Sequence, residues 1–200
     1  MRPSWDELFM MQAILMATRS SCLVRHVGAA LVRDKRVIAS AYNGAPPQIE
    51  TCLQTGVCFY QNLAHKDSEK GLGYYAVLKE QRKEFCNIIH AERNAYAQCS
   101  RFGIRAEGCS LYITNFPCPG CTRDVIIPNG TAEVVVWKGY LENKLLTMDE
   151  YSVSKFWLEQ AKIQVRKLEL PKERLAEIFQ QALNVGDRTD YEFQPPPVQP

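Results

Sequence analysis

The sequence has no excess of either charge. Its 24 basic and 22 acidic side chains leave a net charge of +2 over 200 residues, so no broad field favours a long polyanion. A single nucleotide stays compatible with that balance. No uninterrupted apolar run reaches transmembrane length, which argues against a membrane role. The N-terminus shows no charged region followed by an apolar core and a small-residue cleavage site, so a reduced, cytoplasmic setting is expected. No internal repeat is visible. The short basic cluster Arg33-Asp34-Lys35-Arg36 is too balanced to build a polynucleotide groove and reads as a solvated turn.

What the sequence does have is eight cysteines and an ordinary apolar fraction of 46%. In a reduced setting, clustered cysteines read as metal ligands before disulfides. The length suits one domain with a full core. That domain is expected over 1–184, with an insertion around 48–86 and a flexible, Pro-rich tail over 185–200.

Ser4-Trp5-Asp6-Glu7 predicts a capping box opening a helix. Trp5, Leu8, Phe9, Gln12, Ala13 and Met16 share one helical stripe, apolar except for Gln12. Val27–Val32 and Val37–Ala41, joined by a polar turn, predict a β-hairpin. Tyr42-Asn43-Gly44-Ala45-Pro46-Pro47 must then be a loop. Asn43 reads either as a turn residue or as an amide aimed into a pocket. Residues 48 to 86 are weakly periodic, a length that calls for a function or a tether; Ala76–Phe85 suits a short helix. Further on, the pattern predicts a helix over Ile89–Cys99 and a strand over Ser110–Thr114. A helix over Cys121–Ile127, a buried strand over Glu133–Trp137 and a helix over Asp149–Lys162 follow. The last two elements are a strand over Ile163–Leu168 and a helix over Pro171–Asn184. This alternation implies a partly parallel sheet covered by helices.

Two motifs carry chemistry: His90-Ala91-Glu92, at the start of one predicted helix, and Pro117-Cys118-Pro119-Gly120-Cys121. His90, Cys118 and Cys121 supply three zinc-type ligands, the number a catalytic site uses when it keeps one position open. Glu92 is not needed as a ligand and is free to carry protons. A purely structural site would want a fourth protein ligand and would leave Glu92 idle. The combined pattern is the His-x-Glu…Pro-Cys-x-x-Cys signature of zinc deaminases.

With those motifs the chain resembles the cytidine deaminase superfamily, and more narrowly the deoxycytidylate (dCMP) deaminases of the late-competence and phage type. The resemblance rests also on Arg19-Ser20-Ser21-Cys22, Val27-Gly28-Ala29, Tyr42-Asn43-Gly44, Arg93-Asn94-Ala95 and Leu111-Tyr112-Ile113-Thr114. It implies a three-layer αβα sandwich on a five-stranded mixed sheet. It implies zinc-dependent hydrolysis of dCMP to dUMP and ammonia, supplying dUMP for thymidylate synthesis, with Glu92 as the catalytic acid and base. It places Asn43, Tyr140 and Arg25 against the substrate. It places Tyr42, Gly44 and Arg101 with an effector site for dCTP with Mg2+, or for dTTP, in a hexamer. It also gives Cys22, Cys52, Cys58 and Cys86 counterparts that hold a second, structural zinc; buried free thiols are the alternative. Cys99 and Cys109 read as small core residues. Two other functions stay open from sequence: action on another cytosine nucleotide, such as a 5-modified dCMP, and a non-catalytic zinc-stabilised interaction module.

Overall fold

A computed structural model describes residues 2–56, 58, 86–138 and 148–184. The chain divides into two compact units, Met1–Glu169 and Leu170–Pro200; the boundary falls inside the span 1–184 read from sequence as one domain. The expected helix over Ala76–Phe85 and the expected tail over 185–200 lie outside the described residues.

Helix α1, Trp5–Ala17, opens with the capping box that the sequence predicts. The Ser4 hydroxyl accepts from the Glu7 amide at 3.2 Å, and the Glu7 carboxylate accepts from the Ser4 amide at 2.7 Å. Two otherwise unpaired helix-end donors are thereby satisfied. The buried face differs from the predicted stripe. Phe9 and Ala13 are buried as expected, but so are Met10 and Met11, whereas Trp5 is 42% exposed. The face is rotated because α1 lies unusually close to the first strand. A Cβ on Gly28 would stand only 1.9 Å from the Ala13 carbonyl oxygen, so only glycine allows this approach.

Strands β1, Gly28–Arg33, and β2, Arg36–Tyr42, pair antiparallel. Asp34 and Lys35 make the turn with φ of 51° and 57°, the left-handed pair that matches the twist of a two-residue hairpin. A bulge interrupts the register between Leu31 and Val32. One turn of helix, α2 (Cys52–Thr55), follows the loop and is capped by Thr51. Helix α3 runs from Ala91 to Phe102 and ends on Gly103 at φ 66°. Strand β3, Ser110–Ile113, pairs antiparallel with β1. A single helical turn, α4 (Pro119–Cys121), runs straight into a π-helical segment, Thr122–Ile126. Strand β4 (Glu133–Trp137), helix α5 (Met148–Gln160) and strand β5 (Gln164–Leu168) complete the first unit.

The sheet order is β2-β1-β3-β4-β5, with β3, β4 and β5 parallel. The expected five-stranded mixed sheet is present. Alternation along the strands separates its faces. Gly28 meets α1, and the Tyr112 ring lies 5.4 Å from that of Phe9 on the same side. Ala29, Leu31, Leu111, Ile113, Val134 and Val136 point the other way. They form one core with Ala91, Ala95, Tyr96 and Cys99 of α3 and with Leu158 of α5. Cys99 and Cys109 are buried in that core, as small apolar side chains. The helices thus form the outer layers of an αβα sandwich.

The α1 face also carries an ionic brace. Arg166 on β5 donates to both Asp6 oxygens, at 2.6 and 3.0 Å, and to Glu133 on β4 at 2.9 Å. The Tyr112 hydroxyl adds a bond to Asp6 at 2.6 Å. The second unit holds helix α6, Lys172–Leu183, whose N-cap is Pro171. Its described ion pair, Arg174–Glu177 at 3.0 Å, spans one turn.

Candidate active site

The parallel strands and the helix ends place the chemistry-bearing motifs together. His90 is the N-cap of α3, in extended conformation with ψ of 152°. The residue before it is tied down: Ile89 and Gly44 exchange backbone hydrogen bonds of 2.9 and 3.1 Å. The Asn94 amide, one turn into α3, donates to the Tyr42 carbonyl at 2.8 Å. The entry to α3 is therefore fixed against the loop that follows β2. Cys118 is likewise an extended N-cap, of α4, just past the end of β3.

His90 Nδ1 lies 3.5 Å from the Cys118 sulfur and 3.4 Å from the Cys121 sulfur. All three ligand atoms fall within 4.8 Å of one another. A tetrahedral zinc, with Zn–S near 2.3 Å and Zn–N near 2.0 Å, separates nitrogen and sulfur by about 3.6 Å. The three residues fit zinc as they stand. Among the described residues, no fourth His, Cys, Asp or Glu joins this group.

Electrostatics support the same reading. Cys118 is held well below the usual thiol range, at about 4, first by its hydrogen bond with Cys121 and then by His90. Cys121 moves upward, first because it shares that proton with Cys118 and then through burial. His90 is raised, chiefly by its bond to Cys118. Glu92, at the second position of α3, is only 3% exposed. Burial pushes its carboxyl up, while the neighbouring His90 pulls the other way. A carboxyl raised toward neutrality next to a metal site suits proton transfer.

The other predicted site residues are placed as follows. Asn43 is buried, and its amide serves both ends of one short loop: Oδ1 accepts from the Val27 amide at 2.8 Å and Nδ2 donates to the Arg25 carbonyl at 2.7 Å. Arg25 itself is exposed. Tyr42 is half-buried and Gly44 buried, with Ser21 Oγ 3.1 Å from where a Gly44 Cβ would stand. Tyr42, Arg19, Ser21 and Thr51 help line a cavity of about 280 Å³. Arg101 is not gathered with them. It is exposed in the last turn of α3, 5.9 Å over the Phe102 ring, about 16 Å along the helix from His90. Tyr140 lies outside the described residues.

The second cysteine group forms a neighbourhood rather than a converged ligand set. The Leu53 amide donates to the Ser21 carbonyl at 3.2 Å, bringing Cys52 beside Cys22. The Cys52 thiol donates to Asn87 Oδ1 at 3.6 Å, which brings Cys86 near. Burial raises Cys86, and Cys22, Cys52 and Cys58 raise it further by repulsion. Among the described residues, ligand atoms converge to metal-binding distance only at His90, Cys118 and Cys121.

Sequence reasoning missed several residues that shape the centre. Arg93 reaches over the ligand turn to Asp124 Oδ2 at 2.5 Å, passing 3.2 Å from where a Gly120 Cβ would sit. The segment read as an ordinary helix over Cys121–Ile127 is π-helical from Thr122, with the Ile127 amide bonded to the Thr122 carbonyl at 3.1 Å. Such widened turns recur at functional sites. The sequence carries no signal for the π turn or for the partner of Arg93, because both depend on contacts distant along the chain.

An αβα sandwich with a His/Cys/Cys centre beside a buried glutamate defines the zinc-deaminase class. Residues 3–138 match the family model described as the cytidine and deoxycytidylate deaminase zinc-binding region; the chain belongs to this family. It is 35% identical over 125 residues to ComE operon protein 2 of Bacillus subtilis, covering 62% of this chain and 55% of that protein. It is 35% identical over 173 residues to the deoxycytidylate deaminase of Saccharomyces cerevisiae, covering 86% of this chain and 47% of the yeast protein. The chain thus spans about half the length of these two relatives. The deoxycytidylate deaminase of Mycobacterium phage D29 is 35% identical over 143 residues, which cover 67% of this chain and 94% of the phage protein. The fold matches the dCMP deaminase of cyanophage S-TIM5, solved in complex with dCMP and dUMP. The TM-score is 0.58 at 22% identity, covering 84% of this chain and 99% of that one.

Proposed function

We propose that this chain catalyses the zinc-dependent hydrolytic deamination of dCMP to dUMP and ammonia, and so supplies dUMP for thymidylate synthesis. One observation carries the reading: three ligand atoms converge at zinc spacing, and the buried Glu92 two residues from His90 stays outside the ligand set. His90 Nδ1 and the sulfurs of Cys118 and Cys121 would hold the zinc, which when bound supplies Lewis acidity toward an oxygen nucleophile. Glu92 does the proton work. As water oxygen bonds to C4 of the cytosine, Glu92 takes the proton and delivers it to N3. It then passes the remaining proton of that oxygen to the departing amine, so C4–N4 is broken, C4=O is formed and ammonia leaves. Its burial keeps bulk water from intercepting these transfers.

In this reading Asn43 sets the backbone at Arg25 and Val27, so that Arg25 faces the nucleotide phosphate, and Tyr140 lines the pocket. Tyr42 and Gly44, beside the cavity with Arg19 and Ser21, would take a nucleotide effector, dCTP with Mg2+ or dTTP. Arg101, exposed in the last turn of α3, would contribute to the response to that effector in a hexamer. Cys22, Cys52, Cys58 and Cys86 would close around a structural zinc that tethers the insertion. The setting would be cytoplasmic; among the described residues no helix is long and apolar enough to cross a membrane.

The test is ammonia release by zinc-loaded protein from a substrate panel, with and without dCTP, dTTP and Mg2+. dCMP should be turned over far better than deoxycytidine. Equal turnover would overturn the phosphate assignment, and no release from any cytosine nucleotide would favour a non-catalytic module.

A further inference from the structure

Ser154 lies on α5, far along the chain from either ligand motif, yet it is 0% exposed and hydrogen-bonded to both ends of the Cys118–Cys121 turn. Its hydroxyl donates to the Pro117 carbonyl at 2.9 Å. Its oxygen stands 3.0 Å from Thr122 Oγ1, and Thr122 is also 0% exposed. A serine has one hydroxyl proton. Since that proton goes to Pro117, the Thr122 hydroxyl is the donor in the second bond. Pro117 immediately precedes Cys118, and Thr122 immediately follows Cys121. The Thr122 amide in turn donates to the Cys118 carbonyl at 3.0 Å. One buried oxygen therefore joins the two ends of the ligand loop. One turn earlier on α5, the Tyr151 ring packs on Phe116 at 4.6 Å. One turn later, Leu158 is buried in the core. Nothing exposed enters this contact, so a hydroxyl at this position satisfies two buried groups that would otherwise be left unpaired.

We propose that Ser154 is a positioning residue for the metal centre. Its pair of hydrogen bonds holds Pro117 and Thr122 so that the two sulfurs meet His90 Nδ1 at zinc spacing. Removing it loosens the ligand turn and speeds zinc loss. The inference rests on the proposed zinc site at His90, Cys118 and Cys121. It concerns how the protein keeps the metal, and its readout does not depend on turnover.

The experiment follows zinc release from the full, zinc-loaded chain to a chromogenic chelator, well below the Tm of every variant. The phase that belongs to this centre is the one absent from Cys118→Ala. Ser154→Ala should release that zinc about tenfold faster, the lower end of what outer partners of a metal site contribute. Thr122→Val keeps the bond to Pro117 and should show a smaller acceleration. Leu158→Ala, a cavity in the same helix, should lower Tm without matching the acceleration. Release from Ser154→Ala at the parental rate would overturn the proposal, as would equally fast release from Leu158→Ala. Should Ser154→Ala not fold, Thr122→Val decides: faster release supports the brace and an unchanged rate removes it. Parent protein with no zinc phase would overturn the functional reading together with this one, whereas zinc retained equally by parent and variants removes the Ser154 role alone.

Discussion

His90 Nδ1 stands 3.4 Å from the sulfur of Cys121, a residue 31 positions further along the chain. Two helix starts make this meeting possible. His90 caps α3 and Cys118 caps α4, both in extended conformation, so both ligand motifs project from the ends of elements rather than from their sides. A helix start offers free backbone donors and a favourable field for thiolate. Cys118 is lowered first by its hydrogen bond with Cys121 and then by His90, without help from a lysine or arginine.

The neighbourhood of Cys22, Cys52, Cys58 and Cys86 leads to a metal-content prediction. If these thiols close around zinc, Cys52→Ser should lower the zinc content by one equivalent while the His90 centre stays loaded, because structural sites need all four ligands. Elemental analysis after metal-replete purification reads this directly. Unchanged zinc content would leave the four cysteines as neighbouring thiols.

The Asp6–Arg166 brace predicts a pH-dependent stability. Arg166 holds the Asp6 carboxyl below its ordinary value of 3.8, against a partial opposing effect of burial. A carboxyl depressed in the folded state binds fewer protons there than in the unfolded chain. Its contribution is therefore present above the unfolded value and is lost as pH falls through the folded one. Both partners keep a side-chain exposure of 34%, so screening limits the effect to about 1 kcal/mol. Denaturant unfolding should show Asp6→Asn less stable than the parent at pH 7, with the gap closing at pH values below 3.8. A gap independent of pH would assign the loss to packing instead.

Gly28 predicts a steric failure. A methyl group there would meet the Ala13 carbonyl at 1.9 Å and the Ala17 amide nitrogen at 2.5 Å. Backbone cannot rotate away as a side chain can, so Gly28→Ala should destabilise by about 3 kcal/mol through displacement of α1. Thermal unfolding checks this. A Tm equal to that of the parent would contradict the close approach of α1 to β1.

Much of this was legible in the sequence where a residue type has only a few uses. His-x-Glu ahead of Pro-Cys-x-x-Cys announced the metal centre because few other arrangements want those groups together. The capping box at Ser4 and Glu7, the hairpin turn at Asp34 and Lys35, and the valine run of β4 were local signals with local causes. What stayed hidden depended on distance. Met10 is 0% exposed, yet periodicity does not place it in the core, because the close approach of α1 to Gly28 is not visible in the sequence. Arg93 and Ser154 look like surface and helix residues until Asp124 and Thr122 are brought beside them. Asn43 reads from sequence as a turn residue or a pocket amide. In the structure it is buried, with both ends of its amide on loop backbone, and those two partners lie too far along the chain to be read from the residue type.

The most direct test pairs two measurements on Glu92→Gln: zinc content, and ammonia release from dCMP. Glutamine keeps the shape but cannot cycle a proton. The zinc at His90, Cys118 and Cys121 should remain bound, while kcat falls by about two to four orders of magnitude, the range expected when a positioned acid–base group is lost. Turnover at the parental rate with zinc in place would contradict the account, because the buried carboxylate would then have no part in the chemistry.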